Sequence, residues 1–293
     1  MRFAEIGQQL RAYRLESGLR AEEIAARLGV SRAALYRYEK GEVIKLDTIK
    51  RLAELLKISP LSLLGIGVEY YNRPAGYFER IRQVEETAEQ ILQVHGAGCY
   101  LTNSDAYDAA LADAFEEASE HASDRAGQRA AADQVLAILA ARKRLYNTRK
   151  PGIIAMMSGF AIQRFLELGV AAALPLSERL RRMCRDVAAA EVEHVASLME
   201  AEPMGLQFGL LSPIAEPGGA FVVLRARDRA SLAVNPFPPD MPPGAHSAVA
   251  MITGADEALA AHQRVAEANW REAIKGAAAA QRVRLILAAA RRD

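Results

Sequence analysis

"GVSRAALYRYEKGE", residues 29–42, decides how the N-terminal part of the chain folds. Gly29 supplies a turn whose backbone angles would strain any residue with a Cβ. Ser31 is placed to cap a helix by accepting a backbone N–H, and Gly41 stops that helix. Leu35 falls on the inward side, where Ile24, Leu28 and Val30 can meet it. Arg32, Ala33, Tyr36 and Arg37 are left along one outward side. Lys40 follows just past the helix end.

Working outward, the neighbouring segments read as short helices with apolar residues at helical spacing. Ile6, Leu10 and Tyr13 share a face of a first helix that Gly18 ends. Ala21 to Leu28 is a second helix, with small Ala25 where two helices must cross closely. Asp47 to Lys57 is a fourth, with Ile49, Leu52, Ala53 and Leu56 inward. Pro60 sits in the first turn of a fifth, where its missing N–H does no harm. The expectation is a five-helix domain over residues 1–67. Residues 1–65 carry twelve Lys and Arg against eight Asp and Glu, a net +4, while the rest of the chain carries −3. A basic module joined to a near-neutral one is the layout of a nucleic-acid-binding head on a regulatory body.

The run "IGQQLRAYRLESGLRAEEIAARLGVSRAALYRYEKGEVIKLDTIKRLAELLKISPLSLLG" resembles the XRE (Cro/phage-repressor) helix-turn-helix domain over its whole length. The resemblance implies double-stranded DNA as partner, with the helix from Ser31 in the major groove. Arg32, Ala33, Tyr36 and Arg37 are then the expected base readers. An Arg fork meets guanine O6 and N7 together, and Ala33 can touch a thymine methyl. Arg20, Ser31, Lys40 and Lys45 are the expected phosphate contacts. The resemblance also implies that Arg14 and Glu39 form a structural ion pair linking the first and third helices. One departure stands out: where the family has a Gln opening the second helix, this chain has Ala21.

Beyond the head, 68–76 ("VEYYNRPAG") is expected as a linker and 77–293 as a mixed α/β body. The body's first element is read as a long amphipathic helix, Tyr77 to Val94, the leading candidate for a dimer interface. "GAGCYLTNS" reads as a strand entered through glycines, and 105–120 as a helix. "EHASDRAGQRA" follows as a loop, then 130–147 as a helix. "PGIIAMMSG" is a buried strand or turn feeding "FAIQRFLELG", and Ser177 caps a helix running to Glu200. "GLQFGLLSP", "GAFVVLRARD", "ASLAVNPF" and "HSAVAMITG" are β-rich, the middle two forming a hairpin. Asp256 to Lys275 is expected as the final helix, carrying the only Trp. The fold class expected is therefore a mainly α five-helix head plus a larger mixed α/β C-terminal domain.

Enzyme motifs are missing: no GxxxxGK[ST], GxSxG or HExxH occurs. Glu191 and His194 stand at i,i+3 without a second such pair, so neither metal nor cofactor is expected. Cys99 and Cys184 make no CxxC pair and read as buried free thiols. The segment from "FVVLRARDRASLAVNPF" to "ANWREAI" loosely resembles phospholipase-D-like sensor domains, without the HxK motif of the catalytic ones. Met156, Met157, Phe160 and Arg164 are the candidate lining of an effector pocket. The N-terminus lacks an apolar signal core, and no run is long enough to span a membrane, so a cytoplasmic location is expected. The functional expectation is a non-enzymatic, ligand-responsive transcriptional regulator, a homodimer on a palindromic operator. The alternative is a DNA-binding regulator whose body docks a protein partner, as an antitoxin or phage-type regulator does.

Overall fold

The computed structural model describes residues 3–64, 67–212, 219–246 and 248–291. Pro213 and Ser247, which belonged to two expected β-runs, and the chain ends lie outside these ranges. The head consists of α1 (Phe3–Ser17), α2 (Ala21–Leu28), α3 (Arg32–Glu39), α4 (Leu46–Leu56) and α5 (Pro60–Leu63). Each boundary has a local cause. Gly29 ends α2 in the left-handed region at φ 70°. Ser31 Oγ accepts from the Ala34 N–H at 3.1 Å to start α3. Ser59 caps α5, with Pro60 at its first position. Ile6, Leu10, Tyr13, Ile24, Ala25, Leu28, Leu35, Ile49, Leu52, Ala53 and Leu56 are all buried.

The body is an eight-stranded sheet between two helical layers. Its strands are β1 (Val68–Tyr71), β2 (Gln90–Gly96), β3 (Gly152–Met157), β4 (Leu206–Leu210), β5 (Phe221–Arg225), β6 (Ala230–Val234), β7 (Ala250–Thr253) and β8 (Ile274–Lys275), in the spatial order β1-β7-β6-β5-β2-β3-β4-β8. The central β2, β3 and β4 are parallel. They are joined by α7 (Asp105–Glu120) and α8 (Arg125–Arg149), then by α9 (Gly159–Leu168) and α10 (Glu178–Ala201). The flanking strands pair antiparallel. Successive strand residues face opposite sides, so Leu92, Val94 and Met156 pack with Phe221, Leu232 and Ala266 under α11 (Asp256–Glu272). Ile91, Ala155, Met157 and Leu224 face the main core with the remaining helices.

Several expectations are corrected. The 68–76 linker is instead β1, paired residue for residue with β7, followed by the first turn of α6 (Pro74–Glu85). The expected Tyr77–Val94 helix ends at Glu85, because residues 90–96 form β2 in the middle of the sheet. Both faces of a central strand are buried, so Ile91 and Leu92 are apolar in succession, a pattern that also extends a helical stripe. "GAGCYLTNS" starts on Gly96, the last residue of β2, and is otherwise a loop with a 3-10 turn at Tyr100–Thr102. The expected loop "EHASDRAGQRA" mostly belongs to α8, because Asp124 caps that helix by accepting from the Gly127 N–H at 2.9 Å. The helix expected to be last is followed by β8 and by α12 (Gly276–Ala290), which packs on α10 and α9.

Helix α6 joins head to body. Gly76 lies under Glu16 of α1, at a distance that leaves no room for a side chain. Glu16 accepts from the backbone N–H groups of Asn72 (2.6 Å) and Arg73 (3.1 Å). Gln83 donates to the Gln8 carbonyl at 3.0 Å, and Arg11 pairs with Glu79 at 2.9 Å. Glu69 of β1 accepts from Arg80 at 2.8 and 2.9 Å, from Tyr71 at 2.7 Å and from Gln9 of α1 at 2.8 Å. With α1 on one side and α8 on the other, α6 is an internal element, which leaves it no surface for the dimer contact expected of it.

Candidate functional site

The outward face of α3 carries the residues expected to meet DNA. Arg32, Ala33, Tyr36 and Arg37 are all exposed, and Leu35 between them is fully buried. Arg32 is not idle: its Nη1 lies 2.8 Å from Glu22 Oε1, and its guanidinium sits 5.3 Å from the Tyr36 ring centroid. Arg37 Nε donates to Glu42 at 2.7 Å. The four side chains of these two pairs are each half or more exposed. Such pairs are worth about 0.2–1 kcal/mol, so phosphates and base edges can displace the carboxylates.

The expected phosphate contacts ring this face. Arg20 opens α2, Lys40 closes α3, Lys45 precedes α4, and all three are exposed. Ser31 is exposed but its hydroxyl is engaged in capping. Ala21, where the family has a Gln, is buried, and the exposed side chain at that corner is Arg20, whose backbone N–H donates to Glu23 in the cap of α2 at 2.7 Å. Exposed Val43 and Leu46 flank Lys45, an apolar contribution to this surface that sequence reading missed. Their i,i+3 spacing around buried Ile44 was the available signal.

Arg14 and Glu39 do form an ion pair, at 2.5 and 3.1 Å, with side chains only 14% and 5% exposed. It ties α1 to the end of α3 and so fixes the tilt of the outward face.

The expected effector residues do not come together. Met156 and Met157 are adjacent on β3 and point to opposite faces of the sheet, into different cores. Phe160 is 69% exposed and Arg164 is exposed on α9. A cavity of about 260 Å³ lies elsewhere, at the C-terminal end of β2, where ligands of parallel α/β sheets bind. Tyr77, Ile81 and Glu85 of α6 form one wall, and Phe237 and Asp240 of the proline-rich loop form another. His95 borders it in a left-handed conformation, φ 63°, where β2 shifts register.

Charge in this cavity is mostly internal. Arg142 makes a bidentate pair with Glu85 at 2.9 and 2.7 Å. Glu191 accepts from the Ser104 backbone at 3.2 Å and from the Ser104 hydroxyl. Asp240 accepts from the Ala171 N–H at 2.9 Å, and burial pushes its carboxyl up. His194 meets the Thr102 carbonyl at 3.2 Å rather than joining Glu191. Among the described residues no three His, Cys, Asp or Glu converge as a metal site. Sequence reading missed this cavity because its walls come from eight separate stretches of the chain; the signals on offer were charged residues inside apolar helices (Glu85, Arg142, Glu191) and the run "PFPPD".

Residues 5–63 match the helix-turn-helix domain family. The chain is similar to the HTH-type transcriptional repressor RghR of Bacillus subtilis (strain 168), 36% identical over 104 residues, which are 35% of this chain and 67% of that protein. No solved structure matches it, and the phospholipase-D-like likeness of the body finds no counterpart in these comparisons. No helix among the described residues is long and apolar enough to cross a membrane. With its buried Arg14–Glu39 brace, its glycine turn and its capped, outward-facing α3, the chain belongs to the XRE-like helix-turn-helix family of DNA-binding transcriptional regulators.

Proposed function

We propose that this regulator is ligand-responsive and not an enzyme: a small molecule in the cavity at the end of β2 sets the affinity of the head for a palindromic operator. The observation that carries the reading is that one helix serves both sites. Tyr77, Ile81 and Glu85 of α6 line the cavity, while Gly76, Glu79 and Gln83 meet α1 of the head. An aromatic series runs the same way, from Tyr13 of α1 to Tyr71 (5.6 Å, stacked), Tyr77 (6.5 Å) and Phe237 (5.1 Å). A ligand that favours one seating of α6 therefore favours one seating of the head, which is the differential interaction a switch requires.

The regulator acts as a cytoplasmic homodimer, because one recognition helix covers few base pairs and two-fold symmetry doubles its contacts. Repression is the favoured direction, by analogy with the similar repressor. Genomic mapping of binding sites supplies the operator for the test. Operator affinity of the full chain is measured with and without the small-molecule fraction of a cell extract, and again for Val195→Phe, which fills the cavity. Affinity should change for the wild type and not for the variant. Unchanged affinity, together with a stoichiometric co-purifying protein, would favour a body that docks a partner. A strictly monomeric species by light scattering, with and without operator, would sink the dimer.

A further inference from the structure

The cavity's chemistry narrows what it binds, given the regulatory reading above. Its volume, about 260 Å³, is at the small end for ligand sites and suits a small molecule. Its one guanidinium, Arg142, is closed off by Glu85. Two more carboxylates, Glu191 and Asp240, reach the walls, and each accepts from neutral donors only, the Ser104 and Ala171 groups. Lys143, behind Ser104, is engaged with Asp108 at 2.6 Å. Two formal negative charges, Glu191 buried and Asp240 partly so, thus stand in the wall without an ion-pair partner among the described residues, a costly arrangement unless a cation arrives.

The rest of the wall has the same bias. Pro236, Pro238 and Pro239 line it without a backbone N–H to offer. Gln93 turns its amide N–H to the Gly98 carbonyl at 2.6 Å. The side-chain donors of the wall include the Tyr77 and Tyr107 hydroxyls and the Asn103 amide, all of them neutral. Tyr107, Phe165 and Phe237 add ring faces, which attract cations through their quadrupoles.

We propose that this cavity takes a small organic cation, its ammonium group between Asp240 and Glu191 and its carbon frame against Tyr107, Phe165 and Phe237. Anions meet like charge; neutral molecules leave both carboxylates uncompensated.

The test uses the full chain and probes matched in shape. Choline and isopentylamine are the cations, dimethylbutanol and isopentanol their uncharged counterparts, and dimethylbutanoate the anion. Melting temperature is followed against probe concentration, since a ligand that binds only the folded state raises it by mass action. At least one cation should raise it, and the neutral and anionic probes should not. Asp240→Asn and Glu191→Gln keep the acceptor atoms for Ala171 and Ser104. Each should weaken cation binding about tenfold or more, judged against its own ligand-free melting point. Val195→Phe, which blocks the cavity, should abolish the shift. Should either charge variant fail to fold, the other, with Val195→Phe, still decides the assignment. The proposal is overturned if neither cation acts, if neutral or anionic probes act more strongly, or if the variants bind the cation as the wild type does. A cation that binds as described yet leaves operator affinity unchanged would overturn the regulatory reading and leave the ligand class standing.

Discussion

Arginines do opposite work in the two halves of this molecule. On the head, Arg32 and Arg37 are largely exposed, and each holds an exposed carboxylate through a single short contact. At the junction and in the body, Arg80 and Arg142 are largely buried and grip Glu69 and Glu85 with both arms of the fork. The exposed pairs are cheap to exchange and leave the guanidinium available to DNA. The buried pairs are locked, because separating them strands a charge in a medium that solvates it poorly. Residue type is the same; burial and the number of contacts decide whether it recognises or braces.

The largest expected effect breaks a brace. Arg142→Ala should cost about 3–5 kcal/mol of folding stability in denaturant titration, and replacing both Arg142 and Glu85 by apolar residues should restore much of it. An unchanged midpoint for the single variant would mean that Arg142 is not locked. Arg14→Ala comes next, toward the lower end of the same range, because Arg14 keeps some exposure. It should melt the head while leaving the salt slope of operator binding intact; a stable variant with a shallower slope would make Arg14 a phosphate contact.

Arg32→Ala and Arg37→Ala sharpen the comparison from the other side. At least one should lose about 1–3 kcal/mol of binding at a single operator position, and each should shift stability by less than about 0.5 kcal/mol. Titrations on single-base operator variants distinguish reading from holding: uniform losses from both substitutions would move base recognition elsewhere. Lys40→Ala should weaken all sequences alike and lower the salt slope by about 0.9.

The smallest effect concerns the unpaired carboxylate. Burial raises the Asp240 carboxyl, so the folded state holds its proton more tightly than the unfolded chain does. The contribution to stability is present in acid and is lost as pH rises through the folded-state value. Tyr107 and Cys184, which face Asp240, are also raised by burial and stay neutral in that range. Asp240→Asn should therefore give a slightly higher ligand-free melting temperature than the wild type at neutral pH, with the gap closing in acid. A gap that is constant with pH would place the effect outside the carboxyl's titration.

The head was legible in the sequence because its determinants are local. Gly29, Ser31 and Pro60 act on their own turns, and the spacing of Ile24, Leu28 and Leu35 selects the inward side within a few residues. Even Arg14–Glu39, implied by resemblance, joins neighbouring helices. The body was legible only in pieces. "PGIIAMMSG" and the hairpin around "RDR" were readable, since strand alternation and turns are also local. Residues 90–96 were not, because an apolar run suits a helical stripe and a central strand equally, and only pairing with β3 and β5 settles it. The effector residues failed for a related reason. Met156 and Met157 look like one apolar patch in sequence, but a strand sends neighbours to opposite faces. What the sequence determined by itself was the DNA-binding head and the side of α3 that faces outward. What only the tertiary structure decided was the cavity and its bond to the head through α6, since its walls come from segments far apart in the chain and meet only when the sheet closes over them.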